Sequence, residues 1–220
     1  MNANKQLYRP VYGGHMKQTV WVVRHGQRQD TVDPDWELTA DRVHDPGLTE
    51  LGRWQAWRVG RYFADRGVDF EAIYCSPFLR TVQTTAEICG ELGGEAWLEP
   101  GLGEHRNAAW FDSEPETLSH RTLVDYFDPL RPDHDPFVEP GFPEAHHEAE
   151  GRAGEAARQI ATAHDGRVLM VGHGLTIGGV TQGLVGSTEG VDAPLCGLTR
   201  IEQNGSAWQL DFSGRVDHLE

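Results

Sequence analysis

Val20–Arg28 reads VWVVRHGQR, a short apolar run that stops abruptly at Arg-His-Gly-x-Arg. Val20, Trp21, Val22 and Val23 do not alternate with polar residues, the pattern of a strand buried on both faces, as in a parallel sheet. Two arginines and a histidine follow where the strand must end, and open α/β sheets bind ligands at the carboxyl ends of their strands. Alone, the stretch also fits a strand terminus with solvated charges. A second copy shifts the balance: Val168, Leu169, Met170 and Val171 form another apolar run, ending in Gly172-His173-Gly174. Two buried strands, each delivering a histidine beside a glycine, predict an α/β domain with both histidines on one rim.

Working outward, Gln29 to Gly47 is polar, holds Pro34 and Pro46, and reads as a loop on that same rim. Trp36 within it fits either a substrate anchor or a pin for the loop. A helix is expected from Leu48, with Thr49 as N-cap and Glu50 near the positive helix end. Its buried face is Leu48, Gly52, Ala56, Val59 and Phe63; Arg53, Arg58 and Arg61 lie on its solvated side, and Arg66-Gly67 closes it. Phe70–Cys75 reads as a second strand. Ser76-Pro77 then supplies an N-cap serine and an N1 proline to a helix with the core stripe Leu79, Val82, Ala86 and Cys89. Arg80 lies in that helix's first turn, where a cation does not help the helix but does help hold an anion.

Ala96–Leu98 is a third short strand, followed by Leu102-Gly103-Glu104. Residues 107–142 lose regular periodicity among five prolines and many acids, so they are expected to form a lid-like insertion. A helix from about Glu144 to His164 leads back to the sheet. His146 and His147 are adjacent, so they point apart on a helix and read as a solvated face, not a metal site. Gly174–Leu184 is a helix of small residues, without the Lys-Ser/Thr ending of a phosphate-binding P-loop. Leu198–Glu202 and Ala207–Phe212 flank Asn204-Gly205, a hairpin at the sheet edge. Residues 1–16 read as a loose leader, in which His15-Met16 fits a cloning junction with a natural start at Met16, as Leu219-Glu220 fits another. Residues 17–220 are then one domain.

Composition bounds the partners. The chain has 220 residues, enough for one self-sufficient core, and a net charge of −15. Such a field repels nucleic acid and anionic membrane. No apolar run approaches a membrane span, and Cys75, Cys89 and Cys196 lack paired spacing, so a reducing cytoplasm is expected. Lys5 and Lys17 are the only lysines among 19 basic residues. A salty cytoplasm and a GC-rich genome each account for that bias.

The polar groups expected on the rim are Arg24, His25, Arg28, Arg80, Glu104 and His173. Three guanidiniums match the oxygens of a phosphoryl group, and a half-deprotonated histidine is a competent nucleophile toward phosphorus. A nearby carboxylate can protonate the departing oxygen and later deprotonate water. No metal or other cofactor is needed for this chemistry, and no ligand spacing suggests one.

RHGQR, SPFLRTVQTT (Ser76–Thr85), EPGLGEH (Glu99–His105) and VGHG (Val171–Gly174) together resemble, in order and spacing, the four motifs of the histidine phosphatase superfamily, also called phosphoglycerate-mutase-like. LTELGRWQA (Leu48–Ala56) is similar to the family's first helix. The resemblance spans about residues 17–212 and implies a three-layer α/β/α sandwich with a mostly parallel sheet and an antiparallel edge hairpin. It implies hydrolysis of a phosphomonoester through a phosphohistidine on His25, with Glu104 as proton donor and Arg24, Arg28, Arg80 and His173 in the phosphate pocket. Arg28 resembles the branch of UBA- and SH3-containing phosphatases, which act on aryl phosphates, although no UBA or SH3 segment is present. Gln27 departs from the family's usual glutamate and leaves the pocket's charge to be established. The alternatives are a phosphoglycerate-type mutase, a catalytically silent phospho-ligand binder, and a cysteine phosphatase built on Cys75. The last is disfavoured, because only four residues separate Cys75 from Arg80 where such enzymes use five. The expected partner is a small-molecule or aryl phosphate, with no nucleic acid and no membrane.

Overall fold

A computed structural model describes residues 18–220, so the expected leader at 1–16 lies outside the described residues. The elements run β1 (Thr19–Arg24), α1 (Trp36–Thr39), α2 (Glu50–Asp65), β2 (Ala72–Cys75), α3 (Leu79–Leu92), β3 (Ala96–Leu98), α4 (His120–Tyr126), β4 (Leu130–Arg131), α5 (His146–Ala163), β5 (Arg167–Gly172), α6 (Gly174–Val185), β6 (Leu198–Asn204) and β7 (Ala207–Arg215). The strands form one sheet in the order β4-β3-β2-β5-β1-β6-β7. The five from β4 to β1 are parallel, and β6 and β7 add the antiparallel edge.

The uninterrupted apolar runs have a direct cause. Trp21 and Val23 of β1, with Leu169 and Val171 of β5, pack under α2 and α3. Val20 and Val22, with Val168 and Met170, pack under α5 and α6 on the opposite face. A strand whose successive side chains enter two different cores cannot alternate with polar residues. The result is the three-layer α/β/α sandwich expected from the sequence. Thr49 caps α2 by accepting from Gly52 N at 2.9 Å. The hairpin forms with Asn204 opposite Ala207, and Gly205 takes a positive φ of 65°.

Two expectations change. Residues 107–142 are not free of regular structure: they contain α4, and the two-residue β4 that pairs in parallel with β3 at the sheet edge. Ser76 is not the N-cap of α3. That helix starts at Leu79, and its first N–H is taken by Asp45 Oδ1 at 2.7 Å, from the loop before α2.

α5 and α6 approach closely enough that glycine is obligatory at their crossing. A Cβ on Gly183 would stand 2.3 Å from the Gly154 Cα. Gly183→Ala is therefore expected to destabilise the fold by about 1–3 kcal/mol through overpacking, net of the helix-propensity gain. Gly151 is the control: it is exposed on α5, and a methyl group there would meet nothing within 4 Å. Gly151→Ala should stabilise by up to ~1 kcal/mol. Urea midpoints of the two variants should move in opposite directions.

Candidate active site

The site follows from strand register. β1 and β5 pair in parallel with Arg24 opposite Gly172, so the next residue of each, His25 and His173, emerges at the same level of the same edge. Their rings stand 5.4 Å apart, edge to face. β2 pairs Cys75 with Val171, which brings Ser76 up beside β5's last residue. Its Oγ lies 2.8 Å from His173 Nε2. The serine read as a helix cap is thus a partner of the second histidine. Cys196, the one described non-glycine residue with positive φ, donates its N–H to Arg24 O at 3.1 Å and fixes the end of β1.

His25 is almost wholly buried, and its Nδ1 is 2.8 Å from its neighbour's carbonyl, Gly26 O. A carbonyl only accepts, so the proton sits on Nδ1 and Nε2 keeps its lone pair. Burial first, then the charges of Arg80 and His173, push the imidazole's pKa well below its ordinary value. At pH 7 it is a neutral base with a free nitrogen. His173 is lowered to about 4, again chiefly by burial, with Glu104 opposing and Arg80 reinforcing. The glycine after His25 is a steric requirement: a Cβ there would meet Gly52 O at 2.4 Å, where the strand end crosses the start of α2.

Around the histidines stand the three expected guanidiniums. Arg80, 2% exposed, lies 4.6 Å over the Phe78 ring and donates through Nη2 to Glu104 Oε2 at 3.2 Å. Its Nε and Nη1 are buried without a hydrogen-bond partner, as is Arg24 Nε. Arg24 Nη1 donates to Ala193 O at 2.6 Å. Arg28 forms a two-pronged pair with Asp30, at 2.9 and 2.8 Å. A buried guanidinium with idle donors is costly unless an anion satisfies them, and the planar fork suits phosphoryl oxygens. Gln27 does not alter this charge set. Its Oε1 accepts from Thr49 Oγ1 at 2.8 Å, and it lines neither neighbouring cavity.

Glu104 completes the constellation. Its Oε1 accepts from His105 N at 3.0 Å, and its Oε2 lies 3.3 Å from His173 Nδ1, out of line for a hydrogen bond. Burial would raise this carboxyl, but His173, Arg80 and the His105 N–H outweigh it and hold the group well below the usual carboxylate range.

The loop carrying Glu104 is clamped from α5 by Arg152, which sequence reasoning missed. Arg152 donates to the carbonyls of Gly101 at 2.8 Å, Gly103 at 3.2 Å and Glu104 at 3.1 Å, and pairs with the Glu144 carboxylate. The available signal was its place within the buried stripe Ala149, Arg152, Ala153, Ala156, where an arginine must have a partner. Trp36 pins its loop by donating to Val43 O at 2.8 Å. His146 is solvated as expected, yet it lines the larger cavity. Among the described residues, no group of three His, Cys, Asp or Glu is arranged to hold a metal. Cys75 is buried, and burial pushes its thiol up to about 12, which removes it as a nucleophile at neutral pH.

The six residues expected from the sequence therefore converge. A family model described as histidine phosphatase superfamily (branch 1) matches residues 20–214. The ecdysteroid-phosphate phosphatase of Drosophila melanogaster is 26% identical over 90% of this chain, which spans only 28% of that relative's length. A probable phosphoglycerate mutase of Erwinia tasmaniensis is 26% identical over 91% of this chain and 94% of its own. Among solved structures, the Bombyx mori ecdysone phosphate phosphatase in complex with tungstate superposes with a TM-score of 0.75 at 22% identity, covering 91% of this chain and 98% of that one. Phosphoserine phosphatase from Entamoeba histolytica superposes at 0.64 with 20% identity, covering 92% and 100%.

The buried neutral histidines fix a direction for acid stability. His173 stays unprotonated in the folded protein down to about 4. Its unfolded counterpart takes up a proton near 6.5. The unfolded state binds more protons between those values, so stability falls as pH drops through that window. His173→Gln should remove about 2 kcal/mol of the stability lost between pH 7.5 and pH 5, measured by urea unfolding at both. An unchanged pH dependence in the variant would mean that His173 is protonated in the fold.

Proposed function

The chain belongs to the histidine phosphatase superfamily, and on that premise we propose that it is a phosphomonoesterase working through a phosphohistidine on His25. The observation that carries this reading is the neutral, buried His25 with a free Nε2, beside Arg80 and Arg24, each of which has at least one buried donor without a partner. Arg24, Arg28 and Arg80 bind the phosphoryl oxygens and His173 adds a polar contact beside them. Nε2 of His25 attacks phosphorus as the P–O bond to the alcohol breaks. The guanidiniums stabilise the charge that spreads over the equatorial oxygens, the main demand of phosphoryl transfer.

Glu104 supplies the proton. Its carboxylate is sustained by Arg80, and a bound phosphoryl dianion both competes for Arg80 and repels the carboxylate. Binding thereby raises the Glu104 pKa and prepares it to protonate the departing oxygen. In the second step Glu104 takes a proton from water, the water oxygen attacks phosphorus, the N–P bond breaks, and inorganic phosphate leaves with His25 restored. No step calls on a metal, because the guanidiniums supply the positive charge. The segment 107–142, whose Trp110 and Phe111 line the cavities, selects the alcohol.

A phosphatase releases inorganic phosphate where a mutase returns the phosphoryl group to a second hydroxyl. Release should therefore match alcohol formed, one to one, in the presence of EDTA. His25→Ala should lower turnover by on the order of 10⁴-fold or more, as loss of a nucleophile does. Cys75→Ser should keep most of the activity. Glu104→Gln should slow alkyl phosphates by about 10²–10⁴-fold, the usual share of a general acid, and p-nitrophenyl phosphate much less. Activity that survives His25→Ala, without acid-labile phosphate on the wild-type protein, would refute the proposal.

A further inference from the structure

Beside the proposed phosphoryl pocket lies a cavity of about 570 Å³, whose lining includes Arg24, Arg28 and Glu104 together with His146, Glu150 and Gly178. A smaller one of about 220 Å³ adjoins it and shares Arg28, Glu104 and Trp110. Trp110 is 60% exposed, a large apolar surface left open on the wall of both. Its ring meets His105 edge-on at 5.4 Å, and His105 is in turn fixed by Nε2 at 3.0 Å from Glu144 O. The indole therefore has a supported position and an open flank. The start of α6 also lines the cavity, where Gly174 and Gly178 contribute no side chains.

The charges of this space are unevenly committed. Its arginines are Arg24, Arg28 and Arg80, and in the phosphomonoesterase reading a single phosphoryl group takes all three. Among the described residues, no other arginine or lysine lines either cavity. The remaining fixed charges are the carboxylates Asp30, Glu104 and Glu150. Asp30 is engaged by Arg28. Glu150 of α5 lines the larger cavity, with His146 Nε2 at 3.3 Å as its neighbour and about a third of its side chain exposed.

We propose that the substrate's alcohol is uncharged or cationic, that it lies flat on Trp110, and that it directs a hydroxyl or ammonium donor to Glu150, so that esters carrying a second anionic group are rejected. This rests on the phosphomonoesterase reading and names its substrate class. Like charges at an interface set specificity by repulsion as much as fitting groups do by attraction. Glu150 is thus a specificity-determining residue, and Trp110 the surface that gives the alcohol its orientation.

Three phenyl phosphates bearing para aminomethyl, hydroxymethyl or carboxymethyl groups test this, since the methylene keeps the reacting phenol nearly constant. The quantities are kcat/KM for the wild type, Glu150→Gln and Trp110→Ala, and the dissociation constants of the same esters and of inorganic phosphate on His25→Ala by calorimetry. The wild type should prefer ammonium over carboxylate by about tenfold or more, with the hydroxyl between them. Glu150→Gln should compress that range to within about threefold, by losing on the ammonium ester and gaining on the carboxylate. Trp110→Ala should weaken the phenyl esters more than inorganic phosphate. A wild type indifferent to the substituent, or a Glu150→Gln variant that scales all three esters alike, overturns the inference and leaves the phosphatase reading standing. The expected order in binding without hydrolysis of any ester overturns the phosphatase reading and keeps the leaving-group site. Neither hydrolysis nor ordered binding overturns both.

Discussion

The parallel pairing of β1 with β5, Arg24 opposite Gly172, is the constraint on which the rest of the site depends. A shift by one residue would turn every side chain of β1 to the other face, exchanging Trp21 and Val23 for Val20 and Val22 in two cores of different shape. The same shift would separate His25 from His173. Because both cores are filled by large buried side chains, the register is held by the hydrophobic effect over the whole sheet, while its consequence is felt at one edge. The packing that gives the fold its uniqueness therefore also sets the spacing of the two imidazoles.

That edge carries a burden the core must sustain. Arg80 is buried with two idle donors, and His25 and His173 are held neutral far from solvent. Each of these is unfavourable in the empty protein, and each becomes useful when an anion with oxygen acceptors arrives. The compensation is local. Arg80 rests on Phe78, Ser76 takes up one nitrogen of His173, and Arg152 holds the Glu104 loop by its carbonyls.

Much of this was legible in the sequence, and the reasons differ by residue. His25, His173 and Arg80 were readable because each sits at a fixed offset from an element end, and element ends announce themselves through apolar runs and glycines. Ser76 was misread because its local context, serine before proline before an amphipathic run, is that of a helix cap. Its actual role depends on β2 ending beside β5, a long-range fact. Asp45 took the capping position for the same reason, from 34 residues upstream. β4 escaped notice because two residues carry no period, and its identity as a strand comes from pairing with β3. Arg152 was visible as an arginine in an alanine stripe. What it grips was not, since its partners are backbone carbonyls of another segment.

The protein's charge poses a last question for the proposed phosphatase, how a chain of net charge −15 would attract a phosphate dianion. The answer lies in distance. At physiological ionic strength the Debye length is about 8 Å, so exposed carboxylates farther than that contribute little at the pocket. Within it the guanidiniums act in a water-poor surrounding, where each interaction is stronger than at the surface. Two carboxylates beside the pocket are paired with its arginines, Asp30 with Arg28 and Glu104 with Arg80. Such pairing keeps the arginines oriented without a ligand, and it also makes their release to a phosphoryl group a matter of exchange, one acceptor for another. A pocket of that kind is selective for a ligand that offers more and better-placed oxygens than a carboxylate does. A phosphoryl group, with three equatorial oxygens and two charges, meets that condition where a single carboxylate does not.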